Sequence, residues 1–430
     1  FFFAALYVAR RCPIIEQTPG HQLSVLTMQC LTAKVAALGR SLSGRLRSAQ
    51  RLNSTFRRNA ITDQWVVFSE GRRDRPTQTK PQGLKVKTSD GPPHDPKCPF
   101  CPGDEDSKTP PALLELKDAQ GDWQLRIIPN KYPAVVPVAR ASEIWTELTT
   151  DPNVGSSTLL IERPAIGYHE VVVESPIHNL PTACAGRDAV ERLLRGWHLR
   201  GNQIHEADPS MRVMLYFKNQ GTVAGASLLH PHSQLVSLPF VPRHMSIRQQ
   251  RHLDFFTRFG VSVFQKNIEE EIEARDRNQP HRIVDQNEHF VAYIPFAAVS
   301  PFNLWIMPLY EQAHYIKTEE PELQSLATIL ERSLRRLHGV LEEPDYNMVL
   351  RSAPLPGRHL QRAYNASAFS RWHIQITPRL GAGALAGFEL GSGMFSNSNL
   401  PENDAAQLRD WLGEMRKPTS CPVVSATFCS

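Results

Sequence analysis

The sequence predicts an α+β protein built as two tandem halves, each made mainly of antiparallel strands flanked by a helix. Three observations carry that expectation. The 430 residues are long enough for two ordinary domains or for one domain duplicated. Short apolar stretches with strand periodicity alternate with a few helical ones. The order strand, strand, helix, strand, strand also occurs twice, which is the mark of an internal duplication.

In chain order, the body opens at Phe56, where a Thr62-Asp63 turn leads into a Trp65-Val-Val-Phe68 strand. Residues 77–97, rich in Pro, Gly, Lys and Thr, read as a surface loop. A strand over 124–128 precedes Pro129-Asn130-Lys131-Tyr132, and residues 140–163 read as a surface excursion. A buried strand over 167–174 ends at Ser175-Pro176-Ile177-His178. The helix over 185–205 places Val190, Leu193, Leu194 and Trp197 on one face. Strands then flank Lys218-Asn219-Gln220-Gly221 and His230-Pro231-His232-Ser233-Gln234. After Pro242 the order restarts with strands at 290–298 and 304–308, a helix over 322–340, and strands at 346–350 and 372–378. The acidic stretch 267–277 reads as a solvated helix, and loop 351–371 as a surface insertion. These readings divide the chain into a leader (1–55), two halves (56–242 and 243–416) and a tail (417–430).

Charge is unevenly placed. Residues 1–58 hold nine basic residues and one acid, Glu16, a local +8. The whole chain is +5, so the body carries −3. Such a body is no basic nucleic-acid binder. No apolar run approaches the roughly 18–20 residues that span a bilayer. From Met28 to Arg58 there is no acid, and Arg is spaced through Ser, Ala and Leu. That is the composition of an organellar transit segment, mitochondrial or plastid, with a disordered basic tail on a cytoplasmic protein as the alternative. The chain begins with Phe, and Met28 is a candidate start. Seven scattered cysteines describe no disulfide framework and point to a reducing compartment.

Chemistry concentrates in the first half. Cys98-x-x-Cys101 can offer two thiolates about 3–4 Å apart, as zinc requires, and His178 and His230 each follow a strand of the same half. A Cys2His2 set without an open position would be structural; a disulfide or two unligated thiols remain alternatives. His232, two residues along an extended segment from His230, is then free for covalent work, since a neutral imidazole is nucleophilic at pH 7. Gln234 projects to the same side and can donate an amide N–H to a phosphoryl oxygen, but it cannot act as an acid. Ser227 and the backbone of 225–227 could add donors to an anionic phosphate.

Seven motifs in order, namely Arg72/Arg75, Cys98-x-x-Cys101, Asn130, Ser175-Pro-x-His178, Lys218-Asn219-x-Gly221, Gly225-x-Ser227 and His230-Pro-His232-x-Gln234, resemble the galactose-1-phosphate uridylyltransferase family, a branch of the histidine-triad superfamily. The likeness covers roughly 56–415. Gly387-Phe388-Glu389 and the Phe-Lys-Asn-Gln-Gly variant resemble its ADP-glucose phosphorylase-like branch. The resemblance implies two histidine-triad-like halves forming a half-barrel, a homodimer, and ping-pong transfer of a nucleotide from a nucleotide-sugar through a nucleotidyl-His232 to a hexose 1-phosphate or to phosphate. It implies one structural Zn2+ on Cys98, Cys101, His178 and His230. It further implies nucleotide and phosphate contacts from Arg72, Arg75, Asn130, Asn219, Ser227 and Gln234, and hexose contacts from Glu389. The second half departs from the family pattern: His373-Ile-Gln375 and Gly260 to Gln265 stand where some members carry metal ligands, so no second metal is expected. A nucleotide hydrolase is disfavoured, because Gln234 stands where histidine-triad hydrolases carry a third histidine. A zinc-stabilised nucleotide-binding protein without catalysis is disfavoured by the intact His232 and Gln234.

Overall fold

The computed structural model describes residues 54–69, 87–103, 105–137, 165–356, 365–380 and 386–411. Residues 1–53, Arg72 and Arg75, residues 77–86 of loop 77–97, the 140–163 excursion and the tail lie outside the described residues.

Strands β1 (Ser54–Arg58) and β2 (Trp65–Ser69) form a hairpin. Next come α1 (Glu105–Lys108), β3 (Leu114–Lys117), β4 (Trp123–Pro129), β5 (Tyr168–Val173), α2 (Arg187–Ala207), β6 (Val213–Gln220) and β7 (His232–Leu238). Two helices, α3 (Arg243–Phe259) and α4 (Val263–Asp276), lead into β8 (Ile283–Gln286), β9 (Phe290–Tyr293) and β10 (Leu304–Pro308). The chain continues through α5 (Glu320–Leu341), β11 (Tyr346–Arg351), β12 (His373–Pro378), α6 (Gly387–Ser392), β13 (Phe395–Asn397) and α7 (Pro401–Asp410).

Ten strands make one sheet in the order β3-β4-β5-β7-β6-β11-β12-β10-β9-β8, with every neighbouring pair antiparallel. Read from either edge the order is the same: β3, β4, β5, β7, β6 from one side and β8, β9, β10, β12, β11 from the other. That palindrome is what two copies of one strand unit produce when the edge strand β6 of one pairs with its counterpart β11 of the other. A small sheet, β1-β2-β13, stands apart from it.

Helices α2 and α5 cover one face. Leu193, Leu194 and Trp197 of α2 and Leu330 and Leu334 of α5 are buried with Tyr216, Leu235, Met348 and Ile374 of the sheet. Each such aliphatic side chain contributes about 1.5–3 kcal/mol of burial. Trp197 stacks on Tyr216 and donates its indole N–H to Ser233 Oγ at 3.0 Å. Close approach of α2 depends on Gly201, where a Cβ would fall 2.0 Å from the Tyr216 hydroxyl. Glu319 and Glu322 close a capping box ahead of α5.

Two expectations need correction. The acidic stretch 267–277 is not a freely solvated helix: α4 buries Val263, Phe264, Ile268 and Glu271, and the Glu271 carboxylate pairs with Arg282. Part of loop 77–97 is docked, with Thr88 buried and its hydroxyl accepting from Gln220 Nε2 at 2.8 Å. Cys184 is disulfide-bonded. Other readings shift little: the helix expected over 185–205 is α2, and that over 322–340 is α5.

Candidate functional site

The site grows from the start of β7. On a strand, alternate side chains share a face. Ser233 and Leu235 therefore point to α2 and the core, while His232 and Gln234 point to the opposite, open face of the sheet.

Just before the strand, four side chains converge. The ligand atoms of Cys98, Cys101, His178 and His230 all lie within 4.8 Å of one another, and all four residues are buried. Cys101 Sγ lies 3.4 Å from His178 Nδ1 and 3.6 Å from His230 Nδ1, and Cys98 Sγ lies 3.7 Å from His230 Nδ1. A tetrahedral ion with sulfur at about 2.3 Å and nitrogen at about 2.0 Å has sulfur–nitrogen edges near 3.5 Å, so the spacing fits a metal. The supporting contacts fit too. His230 Nε2 donates to the Ser175 carbonyl at 2.7 Å, which leaves Nδ1 bearing the lone pair that faces the sulfurs. Backbone N–H groups of Phe100 and Asp95 point at Cys98 and Cys101 Sγ. Burial pushes the Cys98 thiol up to about 11 and holds His230 down to about 4; a cation there would reverse the thiol's shift.

His232 follows. Its Nδ1 donates to the His230 carbonyl at 2.8 Å, which places the lone pair on Nε2. Burial first, and then the nearby Lys218 ammonium, hold the imidazole below its ordinary range, so it is neutral at pH 7. Beneath it, on the helix-facing side, Lys218 is fully buried. Its Nζ donates to both Glu174 oxygens at 3.1 and 3.0 Å and to the His232 carbonyl at 3.3 Å.

Gln234 is fixed by a residue that the sequence reading missed. Pairing of β5 with β7 sets His169 beside Val236, one strand over. The Ala134 backbone N–H donates to His169 Nδ1 at 2.9 Å, so the ring proton sits on Nε2 and is donated to Gln234 Oε1 at 2.7 Å. The Gln234 amide NH2 is thereby turned away from His169 and freed for an anionic ligand. Asn130 joins this group: its backbone N–H donates to the His169 carbonyl and its side chain lies 3.0 Å from His169 Nε2. The only hint in the sequence was period-two placement of His169 with Val171 and Val173.

The remaining expected residues divide. Asn219 Oδ1 accepts from Asn347 Nδ2 at 2.8 Å, and Asn347 Oδ1 in turn accepts from Arg379 Nε. The turn that follows needs Gly221, whose φ is +81° and whose Cβ would sit 2.2 Å from the Asp345 carboxyl. Ser227 is exposed on the loop ahead of His230 and makes no side-chain hydrogen bond among the described residues. Glu389 lies elsewhere, at the start of α6, lining a cavity of about 350 Å3 with Val223, Thr377 and Arg379. No described contact joins Glu389 to His232 or Gln234.

A neutral imidazole with a directed lone pair, beside an amide donor that cannot supply a proton, is the arrangement that attack of a histidine on phosphorus would need. Comparison with known proteins agrees. The profile described as the galactose-1-phosphate uridyl transferase N-terminal domain matches residues 45–242. ADP-glucose phosphorylase of Arabidopsis thaliana is 32% identical over 84% of this chain and 94% of its own length. Galactose-1-phosphate uridylyltransferase of Thermotoga maritima is 25% identical over 83% and 98%. Among solved structures, the Arabidopsis thaliana ADP-glucose phosphorylase with bound ADP-glucose superposes with a TM-score of 0.65 at 29% identity, covering 83% of this chain and 99% of that one. A uridylyltransferase structure superposes at 0.58 and 25%, covering 82% and 97%. The chain belongs to the galactose-1-phosphate uridyl transferase family, and is an enzyme of the nucleotidyltransferase type.

Proposed function

We propose that this enzyme transfers AMP from ADP-glucose to inorganic phosphate, with His232 as the nucleophile. Nε2 attacks the α-phosphorus; a P–N bond forms, the P–O bond to the sugar phosphate breaks, and glucose 1-phosphate departs without needing a proton. Phosphate then attacks the same phosphorus; a P–O bond forms, the P–N bond breaks, and ADP leaves with His232 regenerated as a neutral imidazole. The observation that carries the mechanism is the 2.8 Å bond from His232 Nδ1 to the His230 carbonyl, which presents Nε2 as a base-free nucleophile. Gln234, held by His169, donates to the phosphoryl oxygens as charge builds on them. Asn130, Asn219, Ser227, Arg72 and Arg75 complete the nucleotide and phosphate contacts, and Glu389 the hexose contacts.

The preference for ADP-glucose rests on the 32% relative, set against 24–27% for the uridylyltransferases. Uridylyl transfer from UDP-glucose to a hexose 1-phosphate is the second reading, favoured by the family profile. Cys98, Cys101, His178 and His230 would hold one zinc ion whose task is structural, cross-linking the knuckle, the β5 exit and the β7 entry behind the nucleophile. The enzyme would act as a homodimer, and residues 28–58 would direct it to an organelle.

The deciding experiment incubates the purified protein with ADP-glucose or with UDP-glucose, and measures covalent nucleotide on the protein by intact mass. AMP on wild type, absent from His232→Asn and discharged by phosphate, is expected. UMP discharged by galactose 1-phosphate establishes the second reading. Absence of both adducts refutes nucleotidyl transfer through His232.

A further inference from the structure

The second half of the sheet holds another histidine in the nucleophile's geometry. His373 begins β12 as His232 begins β7, and its Nδ1 likewise faces the carbonyl two residues back, Arg371 O at 3.3 Å. His373 is only 5% exposed, and its Nε2 has no hydrogen-bond partner. Trp305 stacks flat on the ring at 4.6 Å, and Phe264 packs at 5.8 Å. Three strand steps separate β12 from β7, about 14 Å at 4.8 Å per step. This is a different place from the His232 site.

Its surroundings are basic. Arg351 pairs with His373 across β11–β12, so both side chains stand on the sheet face opposite α2 and α5, and Arg351 Nε donates to Gln375 Oε1 at 2.8 Å. Helix α3 lies over this point. His244, Arg248 and His252 are spaced four apart on one side of it. His252 is buried against Phe264, with its nitrogens at Ser370 Oγ and Ile61 O, which fixes that side toward the sheet. Burial pulls Arg351 down to about 9, with Arg248 as the second cause, and burial also lowers Arg248. Among the described residues no carboxylate lies within ion-pair distance of either guanidinium, and neither arginine is fully buried.

Two half-buried guanidiniums without counter-charge, beside an imidazole lone pair without a donor, form an incomplete set. One small species completes it. Monohydrogen phosphate carries oxygens for two guanidiniums and one O–H for a bare imidazole nitrogen. We propose that Arg351, Arg248 and His373 form a binding site for inorganic hydrogen phosphate, separate from the nucleotide site. Burial, then Arg351 and Arg248, keep His373 neutral, so it accepts rather than donates. Sulfate, which has no proton at pH 7, cannot satisfy Nε2. A phosphate monoester, largely dianionic there, satisfies it poorly.

The test titrates the intact protein with inorganic phosphate, sulfate and glucose 1-phosphate. The readout is the Trp305 emission, isolated as the difference from Trp305→Phe. A saturable change with phosphate, at least tenfold weaker with sulfate and with glucose 1-phosphate, is expected. It should vanish in Arg351→Gln, weaken in Arg351→Lys, lose its preference over sulfate in His373→Phe, and persist in His232→Asn. Circular dichroism checks that each variant is folded. No saturable change in wild type overturns the proposal, as does a response that survives Arg351→Gln or disappears in His232→Asn. Equal affinity for sulfate or for the monoester overturns the role of His373 and the choice of ligand.

Discussion

Replacing Lys218 with Met tests whether the strand that carries His232 is held by a buried ion pair. Lys218 is fully buried and Glu174 is 5% exposed; the ammonium donates to both carboxylate oxygens and to the His232 carbonyl, and Thr182 Oγ donates to Glu174 Oε2 at 2.7 Å. The methionine fills a similar volume but leaves the carboxylate with Thr182 alone. Removing one member of a buried pair costs about 3–5 kcal/mol, against about 0–1 kcal/mol for an exposed pair. A domain is stable by only about 5–15 kcal/mol, so the loss is a large share of the whole. Urea unfolding followed by tryptophan emission gives the stability of Lys218→Met, Glu174→Gln and the double variant. The single lysine variant should lose at least about 3 kcal/mol, and adding Glu174→Gln should restore much of it, since no charge is then left buried. A loss under about 1 kcal/mol, or a double variant no more stable than Lys218→Met, refutes the reasoning.

Other outcomes follow from single contacts. His169→Ala removes the donor that orients Gln234 and should lower kcat about tenfold, the worth of one hydrogen bond, with KM little changed; an unchanged kcat in steady-state assays discounts the contact. Cys98→Ser should lose bound zinc by elemental analysis and slow nucleotidylation about 10–100-fold; full metal content would show that the four residues are not the ligands. At Glu402, burial acts to raise the carboxyl pKa, but the backbone at the start of α7, Arg57 and Arg282 outweigh it and bring it below the ordinary value. Its contribution is complete above the unfolded value of about 4.3 and is lost as pH falls through the lower folded one. Glu402→Gln should therefore flatten the acid side of the melting-temperature profile below about pH 5. Gly201→Ala should cost about 1–3 kcal/mol by forcing α2 off Tyr216, read by chemical denaturation.

What could be seen in the sequence was whatever depends on near neighbours or on the chemistry of a residue type. His232 and Gln234 share a face because strands alternate, and that holds whatever the strand pairs with. Cys98, Cys101, His178 and His230 could be picked out because few side chains bind zinc, although only the fold brings Cys98 within 3.7 Å of a histidine 132 residues away. His169 was hidden because its task depends on the register of β5 against β7, a long-range pairing that carries no local pattern. The same holds for α4, whose acidic face looked solvated until Arg282, eleven residues on, was seen to pair with Glu271. The local contacts also join the Cys/His cluster to His232, two residues along the chain. His230 Nδ1 faces the sulfurs because its Nε2 is tied to Ser175 O, while the carbonyl of the same residue accepts from His232 Nδ1. One residue, clamped at its ring, therefore sets the tautomer of the next imidazole through its backbone. The Cys2His2 cluster and the proposed nucleophile are joined by a single hydrogen bond.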